Sequence, residues 1–345
     1  MLRYLRLVAL VVCLASALGA SLATPVSAAA QRMVDLGTLG GEVGQATDIN
    51  DVGQVVGYAS LTGDVVSHAF LWTISAGMQD LGSLVPGRSS VAIAISSSGE
   101  IVGEAEASDL GNVHAFYWDD GVFTDLGALS SDVGSGAYGI NDNGQVVGYS
   151  GEQAAMWTHQ PDGSFVFQYL GGLGGCCFAW AFAINNAGQA VGTSFTPAGQ
   201  THAFLWTAET GMTDLTPGAA YSQAMGINNQ GQVVGTIETP SGNRAFLWEN
   251  GVFTLFEPLT GGSSTEGTGI NDSGSVVGSS TVRSGYSHAV LWSGGEAIDL
   301  GTLPGGRASQ AAGVNAYGQV VGTAYATPGR GGFVGNLHPF LWPGA

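Results

Sequence analysis

Histidine and aspartate recur as pairs along the chain, and a paired imidazole and carboxylate can act as a general base or hold a metal ion. His68 precedes Asp80 and His202 precedes Asp214, each by 12 residues. The same arrangement continues in His114 with Asp125, His288 with Asp299, and His338 with Asp35, the aspartate left over near the other end of the chain. Whether these pairs do chemistry depends on the elements that position them.

The pairs belong to a repeat that contains three linked motifs. Its core, N-x-x-G-Q-x-V-G or a variant, begins at seven positions that lie 43 to 46 residues apart: Asn50, Ser96, Asn141, Asn185, Asn228, Asn271 and Asn315. The second motif, H-A-F-L-W or a variant, ends at Trp72, Trp118, Trp157, Trp206, Trp248, Trp292 and Trp342. The third motif is D-L-G or a variant, and it recurs with the same period. A period in the middle forties with several short strands per unit is typical of β-propeller blades.

Each repeat predicts four short antiparallel strands. In the first repeat they are residues 45–50, 54–59, 68–72 and 78–81, with a hairpin turn at residues 50–53 whose Asn and Gly suit the turn geometry. Small residues four positions before the repeat Asn or Ser suit an innermost strand, and they are Ala46, Ala92, Ala137, Ala181, Ala224, Gly267 and Ala311. The sequence therefore predicts an all-β, seven-bladed β-propeller; a stack of solenoid coils is the rival architecture.

The two ends of the repeat predict how the ring closes. A D-L-G motif at residues 35–37 precedes the first repeat, while the last repeat stops after its H-P-F-L-W motif. The N-terminal strand is therefore expected to join the last blade, so that residues 31–345 form a single propeller domain. Two repeats lack both members of the His–Asp pair and carry instead Gln153 with Tyr169 and Arg244 with Leu255. This joint loss indicates that the partners touch across the third and fourth strands.

The same geometry favours a structural role for the histidines. The third strand lies two strand spacings of about 4.8 Å outside the innermost strand. Equivalent side chains of neighbouring blades are then roughly 10 Å apart, whereas a metal ion needs its ligands at about 2 Å. We therefore expect cross-strand His–Asp hydrogen bonds, and we expect no metal, no cofactor and no catalytic residue.

The charge balance restricts the partners. The chain carries 26 Asp and Glu residues against 8 basic residues, all of them Arg, and its net charge is −18. Such an acidic chain does not attract nucleic acid or anionic lipid through its charge. We therefore expect no nucleic-acid partner.

Residues 1–30 predict a secretory signal peptide. Arg3 and Arg6 precede an apolar run at residues 7–18, and residues 26–30 offer small-residue cleavage sites. We expect a secreted protein, extracellular or periplasmic, that is monomeric and is not inserted in a membrane after cleavage.

The motifs I-N-D-x-G-Q-V-V-G, H-A-F-L-W and D-L-G-T-L-G-G together resemble the bacterial extracellular repeat family that is named HAF after the letters of the second motif. The resemblance covers residues 33–342 and is specific, because the three linked motifs recur in order seven times. It implies a secreted or surface protein without a general activity, and it supplies no catalytic residues.

Candidate binding residues lie in the loops that vary between repeats, since variable loops on a rigid scaffold commonly carry binding residues. They are Arg88, Cys176, Cys177, Phe178, Trp180, Tyr286, Arg307, Arg330 and Phe333. Trp180 is the only tryptophan outside the repeated position, and it could bind a ligand or pack between inner strands. The adjacent Cys176 and Cys177 form either a strained vicinal disulfide or two thiols.

Two functions are compatible with these features. The first is a non-catalytic binding or adhesion scaffold that takes an extracellular glycan or protein on its variable-loop face. The alternative is an extracellular polysaccharide hydrolase or lyase at the channel mouth, which would need paired carboxylates. Asp48 and Glu266 are the main acids of the axial strands, and neither has an evident partner, which favours binding. Glu104 and Glu106 either hold a cation or form a solvated acidic edge.

Overall fold

A computed structural model describes residues 32–107, 112–128, 133–174, 178–326 and 336–344. Within these residues, 28 strands form seven four-stranded antiparallel sheets, and the innermost strands of all seven line one central channel. The chain is therefore a seven-bladed β-propeller with four antiparallel strands per blade, as the repeat predicts.

Each of the first six blades is built from four consecutive strands, and the innermost strand comes first. The innermost strands of blades 1 to 7 are β2 (Gly40–Ile49), β6 (Ser90–Ile95), β10 (Ser135–Ile140), β14 (Ala179–Ile184), β18 (Ser222–Ile227), β22 (Thr265–Ile270) and β26 (Ser309–Val314). The second strands are β3 (Val55–Leu61), β7 (Ile101–Glu106), β11 (Gln145–Ser150), β15 (Ala190–Phe195), β19 (Val233–Thr239), β23 (Val276–Thr281) and β27 (Val320–Tyr325).

The outer half of each blade contains the H-A-F-L-W and D-L-G motifs. The third strands are β4 (Ser67–Thr73), β8 (Val113–Asp119), β12 (Gln153–His159), β16 (Thr201–Thr207), β20 (Gly242–Glu249), β24 (Ser287–Ser293) and β28 (Leu337–Trp342). The outermost strands of blades 1 to 6 are β5 (Gly77–Gly82), β9 (Val122–Gly127), β13 (Phe165–Gly171), β17 (Gly211–Asp214), β21 (Val252–Leu255) and β25 (Glu296–Asp299).

The N-terminal strand β1 (Val34–Asp35) completes the seventh blade and closes the ring. It pairs antiparallel with β28, with Asp35 opposite Phe340, in a sheet of order β1-β28-β27-β26. The first and last blades also meet at the channel, where Asn315 Nδ2 donates to the Asn50 carbonyl oxygen at 3.2 Å. The predicted closure is confirmed.

The repeated V-G of the second strand has a packing reason. Valines such as Val55 and Val56 are completely buried between blades, as is Phe70 of the third strand. A Cβ atom on the following Gly57 would collide with the carbonyl oxygen of Gln45 on the innermost strand. Only glycine therefore lets the two inner strands of a blade approach this closely.

The innermost strand of blade 1 begins at Gly40, five residues before the predicted residue 45. Side chains from outside the strand hold this extension: Glu42 N donates to Asp64 Oδ1 at 2.7 Å and Val43 N donates to Ser60 Oγ at 3.0 Å. These bonds replace part of the strand ladder, which the repeat motif alone does not reveal.

Candidate functional site

The channel has two mouths with different construction. At one mouth, which we call the turn face, the innermost strands end in the Asn turns; at the other, which we call the loop face, they begin after the blade-to-blade loops. Because every innermost strand runs in the same direction through the channel, one end of each strand lies at each mouth.

The turn face carries a ring of hydrogen bonds between blades, which we call the asparagine ring. Asn185 Nδ2 donates to the Asn228 carbonyl oxygen of the next blade at 3.0 Å, and its Oδ1 accepts from Ala187 N and Gln189 N. The same bond to the next blade is made by Asn50, Asn141, Asn228, Asn271 and Asn315. Blade 2 is the exception, because its Ser96 side chain contacts the Glu100 carboxylate instead. This ring is a structural device that joins blades.

The His–Asp pairs lie in the outer strands of five blades. His68 Nδ1 is 2.8 Å from Asp80 Oδ1, which also accepts a hydrogen bond from Gly82 N. The corresponding distances are 2.9 Å for His114–Asp125, 2.8 Å for His202–Asp214, 3.0 Å for His288–Asp299 and 2.8 Å for His338–Asp35. Blade 5 lacks the pair, and there Arg244 Nη1 donates to the Ser263 carbonyl oxygen at 2.8 Å. Each pair joins the third strand of its blade to the outermost strand.

The channel contains a cavity of about 560 Å³. Asp48 of blade 1 lines this cavity with its carboxylate. The equivalent positions of the other blades are glycine or alanine: Ala94, Gly139, Ala183, Gly226, Gly269 and Gly313. Backbone groups bind both carboxylate oxygens, since Ile49 N donates to Oδ1 at 2.8 Å and Ile95 N donates to Oδ2 at 3.0 Å. Burial raises the pKa of Asp48 to about 6, although these two hydrogen bonds lower it in part. Asp48 therefore fastens blade 1 to blade 2.

At the loop face, blades 2 to 4 bring together a group that departs from the repeat. We call it the loop-face cluster, and its members are Glu104, Tyr138, Tyr149, Phe178, Trp180 and Phe182. The ring centroids form a continuous series: 5.6 Å from Phe182 to Tyr138, 5.5 Å to Tyr149, 5.4 Å to Trp180 and 4.8 Å to Phe178. All six side chains are half-buried, so part of each remains open to solvent or to the channel.

The sequence of the inner strands explains why the rings meet. Tyr138 and Phe182 occupy the bulged position three residues before the repeat Asn, and both line the channel cavity. The same position holds non-aromatic residues in the other blades: Thr47, Ile93, Met225, Thr268 and Ala312. Because blades 3 and 4 are neighbours, their two aromatic substitutions face one sector of the channel.

Glu104 enters the cluster through a gap in blade 3. A Cβ atom on Gly136 would collide with Glu104 Oε1 and with the Tyr149 ring, so the absent side chain makes room for the carboxylate. Other blades carry larger residues at this position: Gln45, Val91, Trp180, Gln223, Glu266 and Gln310. Burial raises the pKa of Glu104, while hydrogen bonding from the Tyr138 and Tyr149 hydroxyls opposes that rise.

Two buried polar atoms of the cluster lack hydrogen-bond partners within the described residues. They are Glu104 Oε1 and Trp180 Nε1. A buried polar group without a partner costs free energy, and such groups are uncommon in folded proteins. Four other buried polar atoms of the described residues also lack a partner: His68 Nε2, Trp118 Nε1, Tyr169 Oη and Trp292 Nε1. The cluster differs from these places because one of its unpartnered atoms belongs to a carboxylate, which is the costliest of these groups to bury unpaired.

The other predicted binding residues do not join this cluster. Arg88 Nη1 lies 3.6 Å from Glu106 Oε2, so Glu106 takes part in an ion pair. Arg307 Nη1 lies 3.3 Å from the Tyr286 hydroxyl, and its guanidinium carbon is 6.0 Å from the centre of the Tyr286 ring. Cys176, Cys177, Arg330 and Phe333 lie outside the described residues. Of the predicted residues, the structure brings together Phe178 and Trp180 within the cluster, and Arg307 and Tyr286 away from it.

Sequence reasoning missed Tyr138, Tyr149 and Phe182 as site residues, and it left the role of Glu104 open between two alternatives. Glu104 is neither fully solvated nor beside a second described carboxylate in the cluster; it faces two tyrosines. The sequence did contain one sign of the site, namely Gly136. It is the only glycine at the position five residues before the repeat Asn or Ser, which holds larger side chains in the other blades.

Known proteins resemble this chain in fold, and the resemblance assigns no activity. Residues 175–330 match a family described as "Protein of unknown function (DUF3466)". No curated protein matches the sequence. Among solved structures, a virginiamycin B lyase from Staphylococcus aureus is similar with a TM-score of 0.55 and 13% identity, covering 90% of this chain and 99% of the lyase.

Two further solved structures are similar over most of this chain. A streptogramin B lyase gives a TM-score of 0.54 at 13% identity and covers 90% of this chain and 96% of its own. A puromycin-hydrolyzing peptidase of Mycobacterium tuberculosis gives 0.52 at 13% identity, covering 80% of this chain and 47% of the peptidase. At this identity the likeness shows the propeller scaffold alone.

The described residues bear on two further properties, metal binding and membrane spanning. No three His, Cys, Asp or Glu side chains there are grouped closely enough to share a metal ion. Nor does that part of the chain contain a helix long and apolar enough to cross a membrane.

Proposed function

We propose that this protein is a non-catalytic binding scaffold whose ligand occupies the loop-face mouth of the channel. The observation that carries the proposal is the loop-face cluster, in which five half-exposed aromatic rings and one carboxylate meet in a single sector. Aromatic side chains offer large contact areas, and a few placed polar groups orient a ligand. The ligand would be an extracellular glycan or protein, or a small group carried by one.

The alternative of a polysaccharide hydrolase or lyase has less support. General acid and base chemistry on a glycosidic bond needs two carboxyl groups on either side of it. Asp48 has a raised pKa, but backbone N–H groups bind both of its oxygens. Asp48 therefore remains a structural link between blades in this proposal.

The location and the finer family assignment are part of the same proposal. The chain would be exported by the signal peptide at residues 1–30 and would act outside the cytoplasm as a monomeric, HAF-type bacterial repeat protein. The three linked motifs and the charged and apolar segments of the first thirty residues support this. N-terminal sequencing of protein from the producing cell should return a residue near position 31, and Met1 would contradict export.

The binding proposal is tested with glycan and protein arrays probed by the labelled full protein. The matched variant is Trp180→Gln, since blades 1, 5 and 7 carry glutamine at this position and the substitution therefore suits the fold. We expect array ligands that the wild type retains and the variant loses by at least tenfold. Release of products from a glycan, abolished by Asp48→Ala, would overturn the proposal in favour of the enzyme.

A further inference from the structure

We infer that the loop-face cluster binds an organic cation, namely an alkylated ammonium group carried by its ligand. This inference deepens the proposed function and rests on it. The chemistry that recognises such a group is a set of aromatic faces combined with a nearby carboxylate.

The tilts of the rings give the site its shape. Neighbouring rings are tilted by 39° between Tyr138 and Tyr149, by 38° between Tyr138 and Phe182, and by 39° between Tyr149 and Trp180. Rings that are successively tilted form a curved wall rather than a flat stack. A curved wall of electron-rich faces surrounds a rounded cation better than it covers a flat sugar ring.

The charge of the site comes from Glu104. Glu104 places a carboxylate among these rings, and its Oε1 atom is buried without a hydrogen-bond partner in the described part of the chain. A buried carboxylate oxygen is costly unless an opposite charge or a donor reaches it. An ammonium ligand would supply the opposite charge, whereas an anionic ligand would add repulsion.

The two tyrosines of the cluster have raised pKa values. Burial and the neighbouring Glu104 carboxylate both raise the pKa of Tyr138, and the same causes raise the pKa of Tyr149 to about 12. The phenols therefore remain neutral and can donate hydrogen bonds to Glu104. Because neutral phenols do not cancel the charge of Glu104, its negative charge remains available to a ligand.

The electrostatic field of the whole protein also favours a cation. The chain has a net charge of −18, and it contains no lysine that could fill the site from within. The acidic field favours the approach of small cations over anions at low ionic strength. A cationic ligand is thus consistent with the site and with its surroundings.

The test uses choline as the probe and 3,3-dimethylbutan-1-ol as its uncharged isostere, titrated into the full protein by calorimetry. We expect choline to bind with a dissociation constant of roughly micromolar to millimolar size, as suits so small a ligand. The isostere should bind at least tenfold more weakly, because it has the same shape but no charge. Equal binding of the two compounds, or no binding of choline, would overturn the inference.

Two variants and one matched control locate the effect. Glu104→Gln removes the charge, and Gly136→Ala keeps the charge but displaces the carboxylate; each should weaken choline at least tenfold. The control is Glu266→Gln, which removes an exposed carboxylate from the innermost strand of blade 6 and should leave binding unchanged. An equal loss in the control would show a general effect of acidity and would contradict the site.

Failure of this inference is distinguishable from failure of the proposed function. If array ligands are lost on Trp180→Gln while choline does not bind, the cluster is a binding site but not a cation site. If choline binds as described while no array ligand is found, the cation site is supported, and its ligand is a small molecule rather than a glycan or protein. All four substitutions change side chains and leave the strand ladder intact, so each variant should fold, and its thermal unfolding checks this.

Discussion

The two mouths of the channel are built on the same seven strands and follow opposite rules. At the turn face, six of the seven blades repeat one asparagine bond to the next blade. At the loop face, blades 2 to 4 carry a carboxylate and five aromatic rings. The equivalent positions of blades 5 to 7 carry mostly threonine, serine, alanine and glutamine, with Tyr221, Met225 and Glu266 as the exceptions. Positions that are the same in nearly every blade therefore hold the ring together. Positions that differ in a few neighbouring blades are available to bind a ligand.

Strand β14 shows both rules within six residues. Its second residue is Trp180, in the cluster, and the residue directly after its end is Asn185, in the asparagine ring. Because the two side chains share one strand and one blade, differences in their effects cannot arise from different blade stability. This pair offers the sharpest internal comparison in the molecule.

The largest expected effect tests Asp48, which lies between the two mouths. Its pKa is about 6 in the folded protein and 3.8 in the ordinary case, so the folded state binds the proton more tightly. The stabilisation from this group is therefore fully present below about pH 4 and is lost as the pH rises to about 6, and the total loss is about 3 kcal/mol. Asp48→Ala should lack this loss.

The measurement is urea unfolding of the wild type and of Asp48→Ala between pH 4 and pH 7. As the pH rises, the unfolding free energy of the wild type should fall relative to that of Asp48→Ala. Effects of all other titrating groups largely cancel in that difference. A difference that stays constant with pH would show that Asp48 does not titrate as the structure indicates.

A smaller effect is expected from repairing the asparagine ring in blade 2. Ser96→Asn with Glu100→Gln restores the Asn and Gln that blades 1, 3, 4, 5 and 7 share. The new Asn side chain should reach the Asn141 carbonyl oxygen and raise the unfolding free energy by about 1 kcal/mol. The melting temperature checks this, with Glu100→Gln alone as the control.

The repair should leave binding at the loop-face cluster unchanged, because it alters the far end of the innermost strand. A double variant that is no more stable than Glu100→Gln alone would mean that the asparagine bonds add little. In that case, the presence of the same residue in nearly every blade would no longer indicate a structural role.

The sequence was sufficient to predict the architecture because each blade repeats the same motifs. The turn glycine, the packed V-G and the small inner residues recur at fixed offsets, so the blade number and the N-terminal closure followed from spacing. The start of β2 at Gly40 did not follow, since it depends on hydrogen bonds from Asp64 and Ser60 across a loop.

The candidate site was predicted only in part. Trp180 was visible as a tryptophan outside the repeat, but Tyr138 and Phe182 become neighbours only through the packing of two blades. The position of Glu104 depends on a gap at Gly136 in another blade. Contacts between blades combine residues more than thirty positions apart, and no single repeat contains that information.

The central claim, that the two ends of one innermost strand have different tasks, is tested most directly by comparing Trp180→Gln with Asn185→Ala. Melting temperature and choline affinity are measured for both variants and the wild type under the same conditions. The account predicts that Trp180→Gln lowers the melting temperature less than Asn185→Ala does and loses at least tenfold in affinity. It predicts that Asn185→Ala keeps the affinity and loses about 2 kcal/mol of stability, because a buried carbonyl and two turn N–H groups lose their partner. The reverse assignment, or equal losses in both variants, would contradict it.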